Sequence, residues 1–371
     1  MHHPAKKITV MLVDDSSVIR RAISMILDTE PSIEIIASVP DGQMAISMTK
    51  HKKPDVMILD VEMPVMDGLT ALPEILKNSP NTKIVMCSSM TAKNAHTTIK
   101  AMTLGAVECL VKPRNAKGIA PNSSFQKNLL DVVCSLGPSS NSTTTAARTA
   151  PALPSRTTTT TTAATVPETP LLRDDATAYT GKPDIIAIGS STGGPKALFK
   201  VLSDLGPIDI PIVITQHMPA TFTKILAEHI TQQSGSQAHE GADGMTLNAG
   251  EIYVAPGGKH MLFEKHGDTL KIQINDGQPE NFCKPSVDPM MRSLIDIYGK
   301  KILCVILTGM GNDGLKSAQH LAKVGGRVIA QDHETSVVWG MPGAVSNAGI
   351  CSAVLPLTDI GAWIRKACTP L

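Results

Sequence analysis

The sequence carries no excess charge of either sign: 34 basic residues balance 33 acidic ones across 371 residues, a formal net charge of +1. A chain so balanced offers no electrostatic argument for a nucleic-acid or membrane partner. Paired-cysteine motifs are also lacking. Cys87, Cys109, Cys134, Cys283, Cys304, Cys351 and Cys368 are odd in number and scattered, with no CxxC spacing. They read as buried thiols of a reducing compartment, without disulfides or zinc. No apolar run approaches a membrane span, and "MHHPAKKITVMLV" has no long apolar stretch before a small-residue cleavage site. The expectation is a cytoplasmic protein.

One segment lacks large apolar residues almost completely. From residue 135 to 182 the composition turns to Ser, Thr, Ala and Pro, with a Thr run from Thr157 to Thr162. Such a segment buries too little surface to offset its ordering entropy, which predicts a disordered linker. It leaves two domain-sized parts, 6–134 and 183–371.

In the first part, β-branched runs ending at Val13, Val39, Asp60, Ser88 and Val111 alternate with apolar residues at helical spacing, such as Val18, Ile19, Ala22, Ile23 and Ile26. Five βα units predict an α/β fold with a doubly wound parallel sheet, whose ligands sit beyond the carboxyl ends of the strands. The polar residues there are Asp14, Asp15, Asp60, Ser88 and Lys112. Converging carboxylates need a cation, and hard oxygen ligands suit Mg²⁺. An Asp beside that ion can accept a phosphoryl group, with Lys112 and Ser88 contacting it. The alternative is that Asp14, Asp15 and Asp60 merely cap helices.

"VDDS", "LDVEMPVMDG", "CSS" and "LVKP" together resemble the response-regulator receiver domain, a flavodoxin-like fold. The resemblance implies that Asp60 is the phospho-acceptor and that Asp14 and Asp15 form the acidic pocket. Glu62 would lend a backbone carbonyl to the metal, and Ser88 and Lys112 would be the switch residues. The position three before Lys112, usually aromatic in receivers, is Cys109.

The second part offers the strands "DIIAIG", "PIVITQH", "KILCVILTG", "GRVIAQD" and "ICSAVLP", predicting a second doubly wound, Rossmann-like parallel sheet. "GEIYVAPGGKHMLFEKHGDTLKIQI" predicts an inserted antiparallel hairpin, turning at its Pro-Gly-Gly and His-Gly-Asp segments. Three readings compete for the glycines. "GSSTGGPK" fails as a phosphate loop because Pro195 separates Gly194 from Lys196 and Ala197 follows, leaving no hydroxyl for magnesium. "GMGNDG", Gly309 to Gly314, satisfies GxGxxG and is followed by Asp332, yet Asp313 would set a negative charge among amides meant for a pyrophosphate. The third takes Gly189, Ser191 and Gly193 as GxSxG, a strand-to-helix elbow that exposes a serine hydroxyl. Such a serine needs a base and an orienting carboxylate; His217 and Asp313, 26 and 122 residues on, both follow strands.

"AIGSSTGGP", "ITQHMPATFT", "YVAPGGKHM", "PSVDPMMRSL" and "LTGMGNDGLKSAQHLAKVGG" resemble the CheB family of chemotaxis protein-glutamate methylesterases. That resemblance implies a serine hydrolase regulated by phosphorylation, with Ser191, His217 and Asp313 catalytic and the Met310 backbone in the oxyanion site. The implied substrates are glutamyl methyl esters on the cytoplasmic domains of chemoreceptors, with methanol released. Some members also deamidate receptor glutamines. A chemotaxis histidine kinase would donate the phosphoryl group, and the esterase site would need no cofactor. The hydroxyl of Ser190, where the family often has a small residue, is expected to be incidental.

Overall fold

The apolar runs of the sequence form strands. The computed structural model describes residues 6–89, 92–113, 123–138, 172–173, 178–267 and 269–369. The first part runs β1 (Ile8–Val13), α1 (Ser17–Leu27), β2 (Ile33–Val39), α2 (Gly42–Thr49), β3 (Val56–Asp60), α3 (Gly68–Asn78), β4 (Lys83–Ser88), α4 (Ala92–Leu104), β5 (Glu108–Val111) and α5 (Ser124–Leu136). All strands end at the residues their apolar runs predict. Their order is β2-β1-β3-β4-β5 and every pairing is parallel, the doubly wound flavodoxin-like arrangement. Ile23, Leu27, Leu129 and Val133 pack on one face of the sheet, and Ala45, Ala71, Leu72 and Ile75 on the other.

The caps are not the strand-end aspartates. Ser16 caps α1, accepting a hydrogen bond from the Ile19 amide, and Asp67 caps α3. Of the three, only Asp14 serves the turn, its Oδ1 accepting from the Ser16 amide at 2.9 Å.

Most of the expected linker lies outside the described residues. At its start α5 continues to Leu136, and near its end Arg173 donates its amide to Cys351 O at 2.9 Å while Tyr179 donates to Gly325 O at 2.8 Å.

The second part comprises β6 (Ile185–Ser190), α6 (Gly194–Leu205), β7 (Ile212–Gln216), α7 (Ala220–Ser234), β8 (Ala238–Glu240), β9 (Ile252–Val254), β10 (His260–His266) and β11 (Thr269–Asn275). It continues with α8 (Val287–Tyr298), β12 (Ile302–Ile306), α9 (Leu315–Lys323), β13 (Arg327–Gln331), α10 (Met341–Asn347), β14 (Ala353–Leu355) and α11 (Leu357–Cys368). Seven strands form one parallel sheet in the order β14-β13-β12-β6-β7-β9-β8. The predicted hairpin exists, but β10 and β11 form a sheet of their own rather than a part of the main one. The Pro-Gly-Gly segment is the reason. It leaves β9 and passes hard against the start of α7, where a Cβ on Gly257 would lie 2.3 Å from the Ala220 nitrogen. It is therefore a crossing between layers, not a hairpin turn.

The strand order places the function. From β6 the chain proceeds outward to β7, then returns to β12 on the other side of β6. Such a reversal opens a crevice beyond the carboxyl ends of the adjacent strands. The first part covers this crevice. Ala95, Ile99 and Met102 of α4 share one apolar cluster with Leu198 of α6 and Phe222, Ile225 and Leu226 of α7. Among the described residues, no helix is long and apolar enough to cross a membrane.

Candidate active site

Ser191 follows β6, His217 follows β7 and Asp313 lies in the loop after β12, so the three occupy neighbouring strand ends at the crevice. The elbow at Ser191 needs its glycines. A Cβ on Gly189 would meet Val287 at 2.7 Å, and Gly193 has φ +78°, the left-handed region that L side chains rarely adopt. The Ser191 amide donates to Thr308 O at 3.0 Å, tying the turn to the neighbouring strand end.

Asp313 does not decorate its own helix. Its carboxylate accepts from the Val287 amide at 2.6 Å and the Ser286 hydroxyl at 2.7 Å, at the N-terminus of α8, and from Asn281 Nδ2 at 2.8 Å. Oriented amides at a helix start favour an anion. Burial raises the Asp313 carboxyl, but the hydrogen bond and charge of His217 and these donors outweigh it and hold the pKa at about 2. The ionised group lies 2.8 Å from His217 Nε2. Burial in turn lowers the His217 pKa, yet Asp313 and Cys283 override it and raise it to about 10. The Nε2–Asp313 contact leaves Nδ1 as the nitrogen available to a substrate-side proton.

The structure thus joins His217 to Asp313 directly. Ser191 and His217 line the same cavity of about 760 Å³, together with Thr192, Cys283 and Met310, but no hydrogen bond joins Ser191 Oγ to His217 among the described residues. Nδ1 instead faces Cys283 Sγ at 3.4 Å. Sequence reasoning placed Cys283 with the scattered thiols, because nothing in its spacing tells that the turn before α8 brings it to the histidine. The Met310 amide makes no hydrogen bond among the described residues, nor does that of Thr192, the residue after the serine.

Ser190 is not incidental. Fully buried, its hydroxyl donates to Gln216 Oε1 at 2.7 Å, and Gln216 Nε2 donates to the carbonyls of Ser191 at 2.9 Å and His217 at 3.1 Å. One amide side chain therefore fixes the backbone of serine and histidine together. Ser190→Ala removes a donor to a buried acceptor, which should cost about 1–3 kcal/mol. A lowered urea midpoint, with kcat reduced more than KM is changed, is the expected result.

The second polar cluster lies at the strand ends of the first part. The carboxylate oxygens of Asp14, Asp15 and Asp60 lie within 4.8 Å of one another. Lys112 Nζ is 2.6 Å from both Asp14 Oδ2 and Asp60 Oδ2. Three negative groups against one positive group leave a surplus of negative charge that fits a divalent, oxygen-seeking cation. Burial pushes Asp60 up to about 6, against the pull of Lys112. The Glu62 backbone also draws the Asp60 carboxyl down. Ser88 is buried at the end of β4, its hydroxyl donating to Ser89 O at 3.1 Å.

Residues 186–364 match the family model for CheB methylesterase, and residues 10–120 match that for the response regulator receiver domain. The chain is 48% identical over 367 residues to protein-glutamate methylesterase/protein-glutamine glutaminase 1 of Paramagnetospirillum magneticum, covering 97% of this chain and 96% of the relative. It is likewise 48% identical over 366 residues to the group 2 operon protein-glutamate methylesterase/protein-glutamine glutaminase of Rhodospirillum centenum, covering 96% and 93%. The chain therefore belongs to the CheB methylesterase family, with a receiver domain ahead of its catalytic part.

Proposed function

We propose that this protein hydrolyses glutamyl γ-methyl esters on the cytoplasmic domains of chemoreceptors, through Ser191, His217 and Asp313, under control of phosphorylation at Asp60. The observation that carries this reading is the His217–Asp313 pair, 2.8 Å apart, whose histidine shares one cavity with an elbow serine at the sheet's switch point. Ser191 Oγ attacks the ester carbonyl while His217 Nδ1 accepts its proton. The Met310 and Thr192 amides stabilise the tetrahedral oxyanion. His217 then protonates the departing methoxide, which leaves as methanol. Water attacks the acyl-serine, His217 takes its proton and returns it to Ser191. With a glutamine substrate the same sequence releases ammonia. These groups supply every proton transfer, so the esterase step as written needs no cofactor.

Asp60 is the phospho-acceptor in this reading. Asp14, Asp15 and Asp60, with the Glu62 backbone carbonyl, would hold a Mg²⁺ ion whose charge offsets that of the arriving phosphoryl group. Lys112 and Ser88 would then contact the phosphoryl oxygens and shift the α4–β5–α5 face. A chemotaxis histidine kinase is the proposed donor and the cytoplasm the proposed location, consistent with seven free cysteines. Incubating the chain with a methylated receptor fragment and weighing its peptides tests the substrate class. Loss of one methylene per modified glutamate is expected; unaltered peptides would reject it.

The electrostatics of the pair predict a pH dependence. His217 has a raised pKa because of Asp313, so the proton it must shed to act as base is held to higher pH than in a free imidazole. The rate kcat/KM should therefore go on rising above neutrality. Asp313→Asn withdraws the anion, which should move that rise to lower pH even as the rate falls. A pH–rate profile of both proteins checks the sign.

A further inference from the structure

The turn from Glu280 to Cys283, just before α8, adopts a backbone that its residues do not favour. The Cys283 amide donates to Glu280 O at 2.8 Å and the Glu280 amide to Cys283 O at 3.1 Å, closing a two-residue loop. Both residues of that loop have positive φ, Asn281 at +51° and Phe282 at +64°. Asparagine tolerates the left-handed region, but a bulky ring side chain rarely enters it, so the surroundings must hold the loop in place. Two contacts do so. Arg292 Nη1 of α8 donates to Glu280 Oε2 at 2.9 Å near the surface. Below it, Asn281 Nδ2 donates to Asp288 Oδ2 at 2.9 Å and to Asp313 Oδ1 at 2.8 Å.

Asp288 and Asp313 are both buried, at 1% and 2% exposure. Asp288 Oδ1 accepts the amide of Ser317 at 2.9 Å and its hydroxyl at 2.6 Å. The Asn281 amide therefore stands between two buried carboxyl groups and gives one hydrogen to each. A hydroxyl has one hydrogen and a carboxylate none, and glycine, which accepts the same backbone, has no side-chain donor. Asparagine alone meets both demands of the position. The same turn sets Cys283 Sγ 3.4 Å from His217 Nδ1, while Asp313 Oδ2 lies 2.8 Å from His217 Nε2. One four-residue turn thus bears on the imidazole from both nitrogens, through Asp313 on one side and through Cys283 on the other.

We propose that Asn281 is a positioning residue of the esterase: its amide pins the turn to Asp288 and Asp313 and so fixes the imidazole of His217 for proton transfer. This rests on the esterase reading above and deepens it. Asn281 does not line the cavity that Ser191 and His217 share, so its loss should act on the chemical step and not on substrate binding. A small misplacement of the base is enough to slow that step.

The test is methanol release against methylated receptor concentration by the full chain with acetyl phosphate. Asn281→Gly keeps the left-handed backbone and removes both donors. It should lower kcat about 10- to 100-fold, the worth of one hydrogen bond to a charged group, with KM within about twofold of wild type. Asn281→Asp keeps the size and the tolerance of positive φ but sets a third carboxyl against the other two, and should be at least as slow. The thermal transition of each variant gives its folded fraction, by which kcat is normalised. A second readout is the downfield proton resonance of the His217 Nε2–Asp313 hydrogen bond, which should shift or broaden away in both variants. The proposal is overturned if both variants keep the wild-type kcat, if the loss falls on KM with kcat intact, or if kcat falls while that resonance stays unmoved. A wild-type chain that releases no methanol under any condition would instead remove the esterase reading, and the resonance alone would still decide whether Asn281 positions the pair.

Discussion

Ser191→Ala is expected to reduce methanol release from methylated receptor by about 10⁴- to 10⁶-fold, the range spanned by loss of an activated serine in triad hydrolases. The size of the effect follows from what remains. Without Oγ no acyl-serine forms, and the oxyanion donors and substrate contacts act only on attack by water. His217→Ala should cost a comparable factor, because an un-ionised serine is a weak nucleophile. Serine and base act as one unit, so the double variant should be about as slow as either single one. Steady-state methanol assays on the three proteins check this, and multiplicative losses would contradict a shared step. Ser191→Ala should not unfold the protein: Ser191 contributes its amide to the turn through Thr308, and that contact does not involve the hydroxyl.

Asp60→Asn is expected to abolish activation by acetyl phosphate while leaving the basal rate nearly unaltered. The physical chain is short. Asp60 Oδ2 holds Lys112 at 2.6 Å, and Lys112 follows β5, whose first residue, Glu108, lies in the esterase cavity. A phosphoryl group on Asp60 would compete for Lys112 and draw on Ser88 at the end of β4, just before α4, whose Ile99 and Met102 pack in one cluster with α7. In the proposed reading, covered and uncovered forms would be the two states whose ratio phosphorylation shifts. Coupling of this kind is typically worth about 5- to 150-fold, which is the activation expected of the wild-type chain. Asparagine cannot accept the phosphoryl group, so its response should be flat. An Asp60→Asn protein still activated by acetyl phosphate would place the switch elsewhere.

Much of this was legible in the sequence, for identifiable reasons. The strands were, because runs such as Val56–Leu59 and Ile302–Ile306 are buried on both faces and hence continuously apolar. Ser191, His217 and Asp313 stood out because each is a polar residue just past such a run. The glycines of GxSxG could be read because the turn leaves no room for a Cβ at Gly189 and needs positive φ at Gly193. Residues that act through non-local contacts were hidden. Ser190 looked redundant beside Ser191, and only Gln216, 26 residues away, makes it a member of the scaffold. Cys283 meets His217 across 66 residues of chain, and Glu108, from the other sheet, lines the same cavity as Ser191. Strand β8, with three residues, is too short to carry a period. The hairpin's separate sheet followed from a backbone approach at Gly257 that composition does not record.

The most direct measurement of the central claim is methanol release from purified methylated chemoreceptor by the full-length chain, with and without acetyl phosphate, beside Ser191→Ala. Slow release by the untreated chain, faster release with the phosphodonor, and none above background with alanine at 191 are expected. Release that is indifferent to the serine would contradict it.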